Sequence, residues 1–170
     1  SVSLHYRAKD GEEGYPGNLD VYVTYTLTKD NALSIVYEAK TDKPTIIGCT
    51  NHAYFNLEGE GKGTVHNHQL QVFADEYTPF DDTACPTGDI CPVENTPMDF
   101  RELTRVGDRI DDVFFLPGRG IDNNFVLRPI PEGQKMRHAA TLIADDRIME
   151  VWTTAPGLQV YTGNWVEPKI

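Results

Sequence analysis

Residues 19–28 read Leu-Asp-Val-Tyr-Val-Thr-Tyr-Thr-Leu-Thr, which sets Leu19, Val21, Val23, Tyr25 and Leu27 on one side and mostly polar groups on the other. A period of two is the mark of a strand with one buried face. Lys29-Asp30-Asn31 supplies turn residues, and Leu33, Ile35, Tyr37 and Ala39 resume the alternation. Residues 19–40 are therefore expected to form an antiparallel hairpin. Further strands are expected over 45–50, 69–75, 123–128, 138–144, 147–154 and 158–163, separated by clusters of Gly, Pro, Asp and Asn. No stretch sustains helical amphipathicity for three turns, and 100–106 could form one or two turns before Gly107 ends them. The pattern is that of an all-β protein.

The region 75–122 lacks clean alternation and carries Pro79, Pro86, Pro92, Pro97 and Pro117 among acidic residues. It is expected to be a loop-rich excursion, with Phe80 and the run Val113-Phe114-Phe115-Leu116 packing back onto a core. There is no internal repeat and no second compositional block, so residues 1–170 are expected to form one domain. A chain of 170 residues can bury roughly 70% of its unfolded surface, enough for a core without covalent staples.

Charge narrows the partners. Fifteen Lys and Arg stand against 26 Asp and Glu, and the net charge of −11 repels phosphate backbones and anionic lipid. Neither nucleic acid nor a membrane is an expected partner, whereas a neutral, hydroxyl-rich small molecule is compatible. Cys49, Cys85 and Cys91 are too few for a disulfide framework and odd in number, which favours a reducing, cytoplasmic setting. Whether Cys85 and Cys91 pair stays open.

Several motifs have plain explanations. Gly59-Glu-Gly-Lys-Gly-Thr64 lacks the Lys-Ser/Thr step of a phosphate loop and reads as a flexible loop. His66-Asn67-His68 offers two imidazoles but no third ligand at a local spacing, so surface histidines and no metal are expected. Arg101, Arg105 and Arg109 fall four apart, yet Gly107 interrupts the helix that would align them. Three segments carry more chemistry. Thr50-Asn-His-Ala-Tyr-Phe-Asn-Leu57 gathers amides, an imidazole and two aromatic rings at the end of an expected strand. A histidine there can carry a proton near neutrality, and rings can stack on the apolar face of a sugar. Gly120-Ile-Asp-Asn-Asn-Phe-Val-Leu127 places a carboxylate and two amides where a strand begins, and Thr153 to Asn164 brings Gln159 between two short apolar runs.

Together with Asp10-Gly-Glu-Glu-Gly-Tyr-Pro-Gly-Asn-Leu19, Tyr77-Thr-Pro-Phe80, Pro86-Thr-Gly88 and Met98-Asp-Phe-Arg101, these segments resemble the aldose 1-epimerase family, in the family's order and over nearly the whole chain. The resemblance implies a large antiparallel β-sandwich of the supersandwich kind and interconversion of the α and β anomers of free aldohexoses, with no metal or organic cofactor. It implies that His52 is the acid that protonates the sugar ring oxygen, and that Asp122 and Gln159 bind the sugar, with Asn51 beside His52 as a further substrate-binding residue. Opening a pyranose requires removing the anomeric hydroxyl proton while delivering one to the ring oxygen, so an acid and a base must act together.

The match is to a central portion of the family pattern. An earlier segment with a binding arginine and a second histidine does not occur in these 170 residues, nor does a later Leu-Glu-Thr-Gln-like segment that carries the catalytic base. Glu167, in Val-Glu-Pro-Lys, does not match that segment. The sandwich is thus expected to be incomplete, with its open edges covered by a companion chain or a second copy. Other readings are a catalytically silent sugar-binding or regulatory module, an assembly domain, and a phosphosugar epimerase acting through Arg101 and Arg105.

Overall fold

A computed structural model describes residues 1–111 and 120–166. Its contacts divide the chain into two compact units, Ser1–Ala53 and Tyr54 onward. Among the described residues, all strands pair antiparallel and helix is confined to three short 3-10 turns.

The first unit is a three-stranded sheet of β1 (Val2–Ala8), β2 (Leu19–Leu27) and β3 (Leu33–Thr41), in that order. The hairpin expected over 19–40 is β2 and β3, closed by a turn in which Asn31 adopts a φ of 60° and the Thr28 N–H donates to Ala32 O at 2.8 Å. Register pairs Leu4 with Val23 and Val23 with Tyr37, so Val2, Leu4 and Tyr6 share one face with Val21, Val23, Tyr25, Ile35 and Tyr37. The opposite face is polar, with Ser3 bonded to Thr24 at 2.9 Å and His5 to Asp20 at 2.8 Å. Val2, Leu4 and Tyr6 remain 61%, 58% and 60% exposed.

One strand arises here where none is expected, and one expected strand is absent. β1 was not foreseen, although Val2, Leu4 and Tyr6 alternate with polar residues. Residues 45–50 form no strand, and Ile46 is 78% exposed. Thr-Ile-Ile has strand propensity, but no described segment offers it a ladder, and propensity without pairing does not make a sheet.

The second unit stacks two four-stranded sheets. One runs β10 (Arg147–Thr153), β9 (Arg137–Ala144), β4 (Gln69–Val72), β7 (Thr104–Arg105); the other runs β11 (Gly157–Tyr161), β8 (Asp122–Leu127), β5 (Ala74–Thr78), β6 (Cys91–Pro92). The strand expected over 69–75 is split at Phe73, whose N–H donates to Ala139 O (2.9 Å) while its carbonyl accepts from Arg128 N (3.1 Å). The chain thereby passes from one sheet to the other with its backbone groups satisfied. Between the sheets lies a core built from Leu70, Val72, Tyr77, Phe125, Leu127 and Ala140, filled out by Val93, Met98, Phe100, Val106 and Ile121 from the loops.

The helical turns expected over 100–106 are absent. Phe100 O accepts from Val72 N (2.8 Å) and Thr104–Arg105 pairs with β4, so sheet bonds claim this backbone, and only Val106–Asp108 closes a 3-10 turn. Phe80 is half-buried and bridges Pro86 within the excursion. The run Val113–Leu116 lies outside the described residues.

Candidate functional site

β8 begins where alternation sorts side chains into two rows. Asn123, Phe125 and Leu127 are buried toward the core, whereas Asp122, Asn124 and Val126 are on the outer face. β11 pairs with it in register, Tyr161 opposite Asp122, Gln159 opposite Asn124 and Gly157 opposite Val126. The outer face therefore carries a row of carboxylate, amides and a phenol. Gln159 Nε2 donates to Asp122 Oδ1 at 2.9 Å, a diagonal contact between the two strands.

The entry to β8 is pinned to the exit of β11. Ile121 N donates to Thr162 Oγ1 (3.0 Å), Thr162 N to Ile121 O (3.1 Å) and Asn164 Nδ2 to Ile121 O (3.1 Å). Gly120 has a φ of 144°, and a Cβ there would fall 2.3 Å from Asn164 Oδ1, so glycine is needed for both conformation and space. Tyr161 meets the Tyr54 ring at 5.4 Å between centroids with a 53° tilt, and its hydroxyl accepts from Trp165 N at 2.8 Å.

Of the segment 50–57, Asn51 and His52 are exposed in the irregular stretch that ends the first unit, and Tyr54 opens the second. The structure brings Asp122 and Gln159 together; it shows Asn51 and His52 on exposed loop backbone. The far end of the segment is tightly held. Leu57 N donates to His68 Nε2 (3.0 Å), and Leu57 O accepts from Arg147 Nη1. Asn56 closes its own loop, Oδ1 accepting from Glu58 N (3.0 Å) and Nδ2 donating to Lys62 O (2.9 Å).

That arrangement corrects the reading of His66 and His68 as surface residues. His68 is 0% exposed and serves as an internal acceptor, and His66 is half-buried. Sequence spacing gives no sign of this, because the partner is a backbone N–H eleven residues away. Among the described residues, no group of three or more His, Cys, Asp or Glu is placed to hold a metal ion.

The three arginines serve local ends. Arg101 grips Asp99 through Nε–Oδ1 (2.9 Å) and Nη2–Oδ2 (2.7 Å), Arg105 donates to Asn67 Oδ1 (2.6 Å), and Arg109 donates to Thr96 O (3.4 Å). The guanidinium of Arg101 holds the Asp99 carboxyl below the usual carboxylate range, partly opposed by burial. Arg101 is thus already neutralised, which removes support for a phosphosugar site there. Cys49, Cys85 and Cys91 are all free thiols. Glu167 lies outside the described residues. A cleft of about 340 Å³ in the first unit, lined by Tyr15, Leu19, Val21, Ile46, Ile47 and Cys49 among others, contains none of Asn51, His52, Asp122 and Gln159.

Asn124 is one of the two amides noted in its segment but receives no role from the sequence, although its i, i+2 relation to Asp122 on a strand places it on the same face. Tyr161 is missed for the same reason, since its position opposite Asp122 follows only from the register of β11.

Comparison with known proteins agrees with this fold. The sequence profile described as aldose 1-epimerase matches residues 1–169. The galactose mutarotase of Mus musculus is 44% identical over 161 residues, covering 93% of this chain and 45% of that protein. The aldose 1-epimerase of Escherichia coli (strain K12) is 42% identical over 159 residues, covering 92% of this chain and 45% of that protein. The crystal structure of galactose 1-epimerase from Lactobacillus acidophilus NCFM aligns with a TM-score of 0.84 at 35% identity, over 96% of this chain and 47% of that one. The chain spans about half the length of the relatives it matches. With antiparallel sheets, an Asp122–Gln159 pair on an outer sheet face and a profile match along almost its full length, the chain belongs to the aldose 1-epimerase family.

Proposed function

We propose that the protein catalyses mutarotation of free aldohexoses, and that His52, Asn51, Asp122 and Gln159 are its site residues. The observation that carries this reading is the Gln159–Asp122 pair, fixed at 2.9 Å on an outer strand face in a chain of this family. Carboxylate and amide together supply acceptors and donors of the kind that hold sugar hydroxyls. His52 acts as the acid. As a base removes the O1 proton, electrons form the carbonyl, the bond from the anomeric carbon to the ring oxygen breaks, and His52 protonates that oxygen. Rotation of the open-chain aldehyde presents the other carbonyl face, and reversed proton transfers close the opposite anomer. The proton lost from O1 is matched by the one gained at the ring oxygen and the cleaved C–O bond by the new carbonyl, so the balance requires no metal or organic cofactor.

The role of base is assigned to no residue of this chain. Exposure of Val2, Leu4 and Tyr6 supports a further portion of sandwich covering that sheet face, whether from a longer polypeptide, a companion chain or a second copy. The free state of the three cysteines supports a cytoplasmic location.

Optical rotation of freshly dissolved α-D-galactose and α-D-glucose tests the proposal on the protein in its full encoded length. Equilibration well above the buffer rate is expected, falling about 10²–10⁴-fold in His52→Ala. Equilibration at the buffer rate would overturn it.

A further inference from the structure

Resting on that reading, we infer that Asn124 is a specificity-determining residue of the same site, binding a sugar hydroxyl beside Asp122 and Gln159, and that Gly157 is glycine to make room for it. Asn124 is two residues from Asp122 on the same face of β8, roughly 6.6 Å along the strand. That span is comparable to the separation of substituents across a pyranose ring. Gln159 is its direct partner on β11, and the Gln159 amide is committed to Asp122, so three hydrogen-bonding side chains share one patch.

The Asn124 side chain occupies the space beside Gly157. A Cβ at Gly157 would stand 2.3 Å from Asn124 Oδ1, 3.2 Å from Cγ and 3.4 Å from Nδ2. Gly157 is not among the residues of positive φ, so its backbone does not demand glycine. Space for the asparagine amide does. On the other side, Asn124 Nδ2 donates to Thr78 Oγ1 at 3.4 Å, and Thr78 Oγ1 donates to Asn124 O at 3.5 Å. With Nδ2 directed at Thr78, Oδ1 has no donor among the described residues and is available to accept from a hydroxyl.

An amide held in this way discriminates between epimers. The sugar whose hydroxyl meets Oδ1 completes the bond, and the epimer that points its hydroxyl elsewhere leaves a half-buried acceptor unpaired. Glycine at position 157 keeps that acceptor from being displaced by β11.

The test is the ratio of kcat/KM for D-galactose over D-glucose, measured by polarimetry on the protein in its full encoded length. Asn124→Ala is expected to change this ratio by about tenfold or more, chiefly through KM. Gly157→Ala is expected to shift it in the same sense by pushing the amide aside. The double variant is expected to be no worse than Asn124→Ala alone, because the group that the new Cβ strikes is gone. An active wild type whose ratio is unchanged in Asn124→Ala overturns the inference alone, whereas a wild type with no activity on either sugar overturns the functional reading beneath it. Should Asn124→Ala fail to fold, Gly157→Ala decides the matter: an unchanged ratio rejects the role, and a shifted one supports it.

Discussion

Gln159 reaches across 37 sequence positions to donate its side-chain amide to Asp122 Oδ1, tying β11 to β8 at the point where both strands face outward. The bond uses one carboxylate oxygen, and the other is the one proposed to accept from a sugar hydroxyl. Asp122→Ala removes a charged acceptor and frees Gln159, and is expected to lower kcat/KM by roughly 10–100-fold, the equivalent of about 1.5–3 kcal/mol for a hydrogen bond to a charged group. Gln159→Ala is expected to cost less, about tenfold, mostly in KM. Polarimetric kinetics over a range of sugar concentrations check both, and an Asp122→Ala enzyme with wild-type kcat/KM contradicts the assignment.

Stability should depend on pH through two arginine clamps. Arg128 holds Asp75 through Nε–Oδ2 (2.9 Å) and Nη2–Oδ1 (2.6 Å), as Arg101 holds Asp99. In each pair the guanidinium hydrogen bond is the main cause that depresses the carboxyl pKa, with burial opposing. A depressed folded value means that the unfolded chain takes up protons first as pH falls. The contribution is therefore complete above about pH 5 and is lost as pH drops through the ordinary carboxylate value, about 3.9, toward the lower folded one. Melting temperature is expected to hold between pH 5 and 7 and to fall below pH 4. Asp99→Asn should lower it at pH 7 and differ less from wild type at pH 3, and an equal gap at both values contradicts the linkage.

His68 should matter to folding although it lies far from the outer face of β8 in sequence. Replacing it by Ala leaves the Leu57 N–H without its acceptor, at a cost of about 1–3 kcal/mol. His68→Gln can return an oxygen close to the lost Nε2 and should recover part of that. Urea unfolding measures the difference, and a His68→Ala protein within about 0.5 kcal/mol of wild type shows the bond to be dispensable.

Phe125 is 1% exposed and lies between Asn124 and Val126 on β8, so its ring anchors from below the outer row proposed to bind sugar. Phe125→Ala is expected to destabilise by about 3–5 kcal/mol, with a matching drop in the urea midpoint. A loss below about 1 kcal/mol would indicate that the core refills the space.

Legibility in the sequence followed the strength of alternation. The hairpin of β2 and β3, and strands β8 to β11, were readable to within one or two residues because apolar and polar positions trade places along each. β1 escaped because His5 and Arg7 gave it the look of a polar start. Thr45-Ile46-Ile47 misled in the other direction, since propensity is intrinsic but a ladder partner is not. The break at Phe73 depends on two carbonyl and amide bonds to different sheets, which no local pattern encodes. Asp122 and Gln159 were visible through family resemblance, whereas the fit of Asn124 against Gly157 is a contact between distant positions and appears only in three dimensions.

Mounting these proposed sugar-binding groups on a hydrogen-bonded ladder rather than on a loop tip constrains how the protein can be re-engineered. Deleting or inserting a single residue within 122–127 or 157–161 would turn the outward row inward, exchanging Asp122 and Asn124 for Asn123 and Phe125. On the proposed reading, new sugar preferences are to be sought by swapping side chains at fixed length, while changes of length belong in the hairpin crossing at Asp145–Asp146 and in the exposed stretch 131–136.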